Sequence, residues 1–180
     1  MLVADYGRGT SGHPHLSAAL AQMTRRFPVV WDPHPRGGRP LAGARLVTPN
    51  EAEALAFARR GLSRGAAPGA MGHRARYLAQ MWEVAGVAIT LGSRGAVLAA
   101  GPQPPTAIPA PRVTAPDTCG AGDSFAAAAT RALADGLPLT AAVARAVQAA
   151  TQFVAAGAAA EILVQEGERA CPAAVPSARS

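Results

Sequence analysis

The chain contains no lysine; all 17 of its basic residues are arginine. That absence excludes two phosphate-handling devices, the Walker A loop with its Gly-Lys-Ser/Thr and the catalytic lysine of a protein kinase. Cysteine is scarce as well: Cys119 and Cys171 offer neither a disulfide framework nor zinc spacing, so the expected setting is reducing and cytoplasmic. Charged residues make up only 16% of the chain, against 49% hydrophobic. The arginines behind the net charge of +6 are scattered and poorly interleaved with aromatics, which argues against a nucleic-acid partner. The first residues lack the basic start and apolar core of a signal peptide. The most apolar stretch, Ala141 to Val164, is interrupted by Arg145, Gln148, Gln152 and Glu161, so no membrane span is expected. What remains is a chain of 180 residues with enough apolar content for one domain with a core.

Short apolar runs alternate with helical periodicity. Leu2 to Asp5 reads as a buried-type strand, followed by a loop from Tyr6 to His15 and a helix from about Leu16 to Arg26. "VVWDP" and "ARLVTPN" read as two more strands, and Glu51 to Arg60 as a helix stopped by Gly61. Leu62 to Met71 is a Gly/Ala/Pro loop, and a helix from about His73 to Ala85 follows it. "VAITLGSRGAVLAA" is two strands around a glycine turn, and Pro102 to Pro116 a Pro-rich crossing. Phe125, Ala129 and Leu133 mark one face of a helix that ends at Gly136, with Pro138 behind it; Val143, Val147, Ala150 and Val154 mark one face of the next. The expected fold class is α/β around a mainly parallel sheet, occupying residues 1–164, with 165–180 as a flexible tail. The chain opens almost at once on a strand, as though entering a fold midway.

Open sheets of this kind bind ligands at the carboxyl ends of their strands. Asp5, Asp32, Asn50 and Thr90 stand at such ends. In "TPNEAEA", Asn50 followed by Glu53 reads either as a helix capping box or as a pair organising a hydrated Mg²⁺. "TLGSRG", Thr90 to Gly95, reads as a plain turn or as one that admits a phosphate or ribose close to its backbone. The histidines of "HPH", His13 to His15, have no partner at metal spacing; they and His73, assigned to a loop, are taken as surface residues. "DTCGAGD", Asp117 to Asp123, is no Gly-x-Gly-x-x-Gly fingerprint. It does set Gly120, Ala121 and Gly122 at a helix N-terminus, where unpaired N–H groups and the helix dipole make an anion site. Asp123 in that first turn either complements the dipole or accepts the proton of an attacking hydroxyl in phosphoryl transfer.

"DTCGAGDSF" resembles the C-terminal signature of the ribokinase-like (PfkB) carbohydrate kinases, "NEAE" their Asn-x-x-Glu metal motif, and "TLGSRGA" their nucleotide-side turn. "VADYGRG", "WDPHPRG" and "LVTPNEAEA" look most like the heptose 7-phosphate kinases that feed ADP-heptose synthesis, with Arg8 and Arg36 near positions where those kinases carry lysine. The resemblance spans roughly Leu2 to Gly157. It implies a ribokinase-like layered fold and transfer of phosphate from ATP to a sugar or sugar phosphate. Asp123 is then the base, with Gly120, Ala121 and Gly122 as the anion hole. Asn50 and Glu53 influence Mg²⁺, while Thr90, Gly92 and Gly95 face ATP. Asp117 and Thr118 lie near the nucleotide and a monovalent cation, and Gln148 is the nearest candidate for an adenine contact. The family's sugar-binding N-terminal half and β-lid have no counterpart here, so an exposed sheet edge and self-association are expected. The alternative is a non-catalytic nucleotide-binding remnant or truncated fragment, and the chain alone is expected to show little or no sugar kinase turnover. A basic nucleic-acid binder ranks third, told apart by salt-dependent binding to random duplex DNA.

Overall fold

Side chains alternate across a strand, and in this chain the alternation sorts two cores onto opposite faces of one sheet. The computed structural model describes residues 1–61, 70–114 and 117–158. Six strands, β1 (Leu2–Ala4), β2 (Val30–Asp32), β3 (Leu46–Val47), β4 (Gly86–Thr90), β5 (Ala96–Ala100) and β6 (Thr106–Ile108), lie in the order in which they occur in the chain. β1 to β4 pair in parallel, with Leu2 opposite Val30 and Val30 opposite Leu46; β5 and β6 add on antiparallel. The sheet is mainly parallel, as expected, with an antiparallel part at one edge.

β6 lies inside the stretch expected as a Pro-rich crossing. Pro105 and Pro109 confine it to three residues, and its edge position tolerates prolines that a central strand does not. Trp31, Val47, Val87 and Ile89 point to one face, packed with Phe57, Leu78 and Trp82 from helices α2 (Glu51–Gly61) and α3 (Met71–Trp82). Phe57 meets Trp82 edge-on at 5.1 Å. Val30, Leu46, Ala88 and Leu98 point to the other face, under helices α4 (Ala121–Ala134) and α5 (Leu139–Ala155). Alanines at 126, 129, 132, 142 and 146 are buried between sheet and helices.

Two helices depart from the sequence reading at their boundaries. Helix α1 (Pro14–Met23) starts inside "HPH" because proline at the first helical position has no N–H to waste; His13 and His15 are exposed. α3 begins at Met71, which places His73 in a helix, exposed, rather than in a loop. It ends at Trp82 because Glu83 turns left-handed at φ 56° and returns its N–H to the helix. The loop expected from Leu62 and the tail expected from Gln165 lie, apart from Ala70 and Met71, outside the described residues.

Candidate active site

The four polar strand ends divide into two pairs. Asp5, closing β1, is buried and accepts the N–H of Gly7 at 2.7 Å, the N–H of Gly38 at 2.9 Å and the Ser11 hydroxyl. This carboxylate ties the loop after β1 to the loop after β2. A Cβ on Gly37 would lie 1.9 Å from Asp5 Oδ2, so glycine is required there. Asp32, closing β2, accepts from the Thr48 hydroxyl at 2.9 Å. Burial pushes its carboxyl up to about 7; the Thr48 hydrogen bond opposes the rise, and the carboxylates of Glu53 and Asp123 add to it. Asn50 and Thr90 form an isolated parallel bridge and line a cleft of about 1310 Å³.

Gly92, Gly95, Thr118, Ala121 and Gly122 line the same cleft. Gly95 has φ 91°, and a Cβ there would lie 2.1 Å from the Ile108 carbonyl oxygen, so β5 can follow the turn only with glycine at this point. Phe125 and α5 residues Val147, Ala150 and Val154 make an apolar wall, and Arg112 adds a cation. Sequence periodicity reads those α5 residues as core; it cannot separate a cleft wall from a core face, since both want apolar side chains at helical spacing. Gln148 is exposed and is not among the lining residues: one step round the helix from Val147 turns it away.

Gly120 begins α4 in the left-handed conformation at φ 82°. The anion site differs in one donor from the expected one. The Ala121 N–H donates to the Thr118 carbonyl at 3.1 Å, because the signature loop closes as a turn. First-turn N–H groups such as those of Gly122 and Asp123 have no helical carbonyl to reach. Asp117 accepts the N–H of Cys119 at 2.9 Å and stabilises that turn. Gly122 is exposed and open: a Cβ there would meet nothing within 4 Å. Asp123, also exposed, is not a lining residue. Its Oδ1 accepts the Tyr6 hydroxyl at 3.1 Å, and that hydrogen bond, with the aspartate's charge, pushes the Tyr6 phenol up. The sequence shows Tyr6 only as part of the segment "VADYGRG"; its contact with Asp123 is not legible there, because the two lie 117 residues apart.

Asn50 and Glu53 form the capping box reciprocally. The Asn50 N–H donates to Glu53 Oε2 and the Glu53 N–H to Asn50 Oδ1, both at 2.9 Å. Glu53 is pushed up by burial, against the hydrogen bonds from Asn50. Its neighbour Glu51 lines the cleft and pairs with Arg94 of the glycine turn; both are exposed, so the pair adds well under about 1 kcal/mol. Among the described residues no three His, Cys, Asp or Glu side chains converge as a metal cage, and no helix is long and apolar enough to cross a membrane.

Comparison with known proteins gives consistent matches. The chain is 49% identical over 173 residues to the bifunctional protein HldE of Streptomyces coelicolor, covering 96% of this chain and 36% of that protein. It is 31% identical over 140 residues to HldE of Caulobacter vibrioides, covering 77% and 29%. Among solved structures, Thermotoga maritima ribokinase superposes with a TM-score of 0.63 at 23% identity, covering 86% of this chain and 49% of that one. Arabidopsis thaliana ribokinase complexed with ribose and ATP gives 0.59 at 24%, covering 77% and 44%. The fold is thus ribokinase-like, and the chain spans about a third of the curated relatives' length. Residues 15–165 match the profile of the pfkB family carbohydrate kinases, and the chain belongs to that family.

Proposed function

We propose that this chain carries the nucleotide side and the base of an ATP-dependent kinase acting on a hydroxyl of a sugar or sugar phosphate. One observation carries the reading: adjacent residues of α4 face two ways, Gly122 into the cleft and Asp123 toward Tyr6. A phosphate held at the open helix N-terminus and an acceptor held beside Asp123 are thereby brought within one turn of each other. The cleft fits a nucleotide. It offers an apolar wall for a base, small residues at the anion site and Arg112 for charge. Asn50 and Glu53 spend hydrogen bonds on each other, which fits Mg²⁺ held through water rather than in a protein cage. When bound, Mg²⁺ neutralises charge on the transferring phosphoryl group. Asp117 and Thr118 are assigned to the nucleotide side and to a monovalent cation there.

In the proposed reaction the acceptor O–H loses its proton to the Asp123 carboxylate as its oxygen bonds to the γ-phosphorus. The bond from that phosphorus to the bridging oxygen breaks, and ADP leaves. First-turn N–H groups of α4 stabilise the charge that gathers on the phosphoryl oxygens. We infer heptose 7-phosphate as the acceptor, in a cytoplasmic route to ADP-heptose, from the segments around Tyr6, Asp32 and Asn50. The test is thermal. ATP with Mg²⁺ should raise the melting temperature, and Asp123→Asn should keep that rise while abolishing phosphorylation of heptose 7-phosphate. A folded chain that gains nothing from millimolar ATP refutes the proposal.

A further inference from the structure

We propose that Tyr6 is a positioning residue for Asp123: its hydroxyl holds Oδ1, so that Oδ2 is the oxygen presented to the acceptor. The inference rests on the kinase reading above and adds to it a residue outside the signature loop.

Tyr6 is 63% exposed, and an exposed tyrosine by itself is a surface residue. Two features set this one apart. Its hydroxyl reaches across from the loop after the first strand to the first turn of α4. Its backbone is also clamped on both sides. Asp5, immediately before it, is buried under three hydrogen bonds from Gly7, Ser11 and Gly38. Gly7, immediately after it, has φ 69°, and a Cβ there would lie 2.2 Å from His34 Nδ1. The phenol is therefore aimed by a rigid junction of two loops.

Asp123 needs such a partner. It is exposed at a helix terminus, where its χ angles are free, and it feels the carboxylate of Asp32 on β2. Glu53 on α2 is a further carboxyl acting on Asp32. A phenol raised above its ordinary 10.0 stays a neutral donor across the working range. It orients the carboxylate while keeping its own proton, so that Oδ2 stays open to the acceptor's. Misplacing a reacting group by a fraction of a bond length costs rate rather than binding, which separates a positioning residue from a structural one.

Two measurements on the whole chain decide it. The first is ultraviolet titration of the phenols, which number two, Tyr6 and Tyr77. In the parent, one phenol titrates above its ordinary value; in Asp123→Asn that phenol returns toward 10.0, with Tyr77→Phe identifying it as Tyr6. An unchanged titration in Asp123→Asn means the contact does not form and overturns the proposal, whatever the activity. The second is kinetics of Tyr6→Phe. We expect kcat to fall about tenfold to a hundredfold, with KM for ATP and the ATP-induced melting shift unchanged. A kcat equal to the parent's, or a fall in ATP affinity matching the fall in kcat, overturns the positioning role. A folded parent whose melting temperature millimolar ATP with Mg²⁺ leaves unchanged overturns the kinase reading and this role with it. That result is told apart from failure of the contact by the phenol titration.

Discussion

Gly122→Ala should make the chain more stable and bind ATP less well. The site is the second residue of α4, exposed, and a methyl there meets nothing within 4 Å. Gly122 is absent from the residues with positive φ, so alanine fits its backbone. Replacing glycine by alanine in a helix gains about 0.5–1 kcal/mol, largely by restricting the unfolded chain, and the low end applies in a first turn. For a chain of this size about 0.5 kcal/mol raises the melting temperature by about 1–2 °C. The same methyl points into the cleft that a phosphate must enter to reach the N–H groups of α4. A tenfold loss of ATP affinity corresponds to about 1.4 kcal/mol and subtracts that amount from the stabilisation seen at saturating ATP. Melting curves with and without ATP and Mg²⁺, for parent and variant, therefore move in opposite directions. If Gly122→Ala keeps the full ATP-induced shift, the anion-site assignment of this helix terminus is wrong.

Three further outcomes follow from the same geometry. Asp32 keeps its proton in the folded chain up to about pH 7, whereas unfolding returns its carboxyl to 3.8. Its contribution is therefore intact below about pH 4 and is lost as pH rises through that window. Asp32→Asn keeps an acceptor for Thr48, and denaturant titration should show a gain of order 2–4 kcal/mol near pH 8 and none near pH 4; equal effects at both pH values reject the burial argument. Glu53→Gln can still complete the capping box, so stability should hold while the Mg²⁺ dependence of ATP binding weakens; identical Mg²⁺ dependence rejects the metal assignment. Gly95→Ala forces a methyl onto the Ile108 carbonyl at positive φ and should cost about 3 kcal/mol or more, measured by urea unfolding. Gly92→Ala, at φ 58° in open space, should cost only about 1–2 kcal/mol.

Most of the scaffold was legible because its signals are local. β1 to β5 announce themselves as short apolar runs, α4 by helical spacing that stops before Gly136 and Pro138, and α5 by the spacing of Val143, Val147, Ala150 and Val154. What escaped depends on context. β6 is hidden by the prolines around it, and the early stop of α3 rests on a left-handed glutamate, a conformation that nothing in the residue type foretells. The glycine turns of the site were readable because positive φ selects glycine. The Thr118–Ala121 turn was not, since an N–H at a helix terminus looks free until the preceding loop is folded. The Tyr6–Asp123 contact and the raised carboxyl of Asp32 were not legible for a plainer reason: one joins residues 117 apart and the other arises first from burial in the folded chain.

The strands stand in the sheet in the order of synthesis, and this has a kinetic consequence. Each strand finds its partner next to it in sequence, so the sheet can grow by successive short closures as the chain emerges. α4 and α5 come last among the described elements; α5 packs under β5 and β6, while α4 folds back under β1 and β2, the longest closure among the described elements. Asp123 rides on that last piece and Tyr6 follows the first strand. A chain released before α4 docks would carry a nearly finished sheet and no assembled centre. Hydrogen exchange should therefore show α4 and α5 amides opening as one unit below the free energy of global unfolding, with loss of the Tyr6 phenol shift in the same step. Competence at this centre would then mark the end of folding, and chains stalled earlier would be catalytically silent.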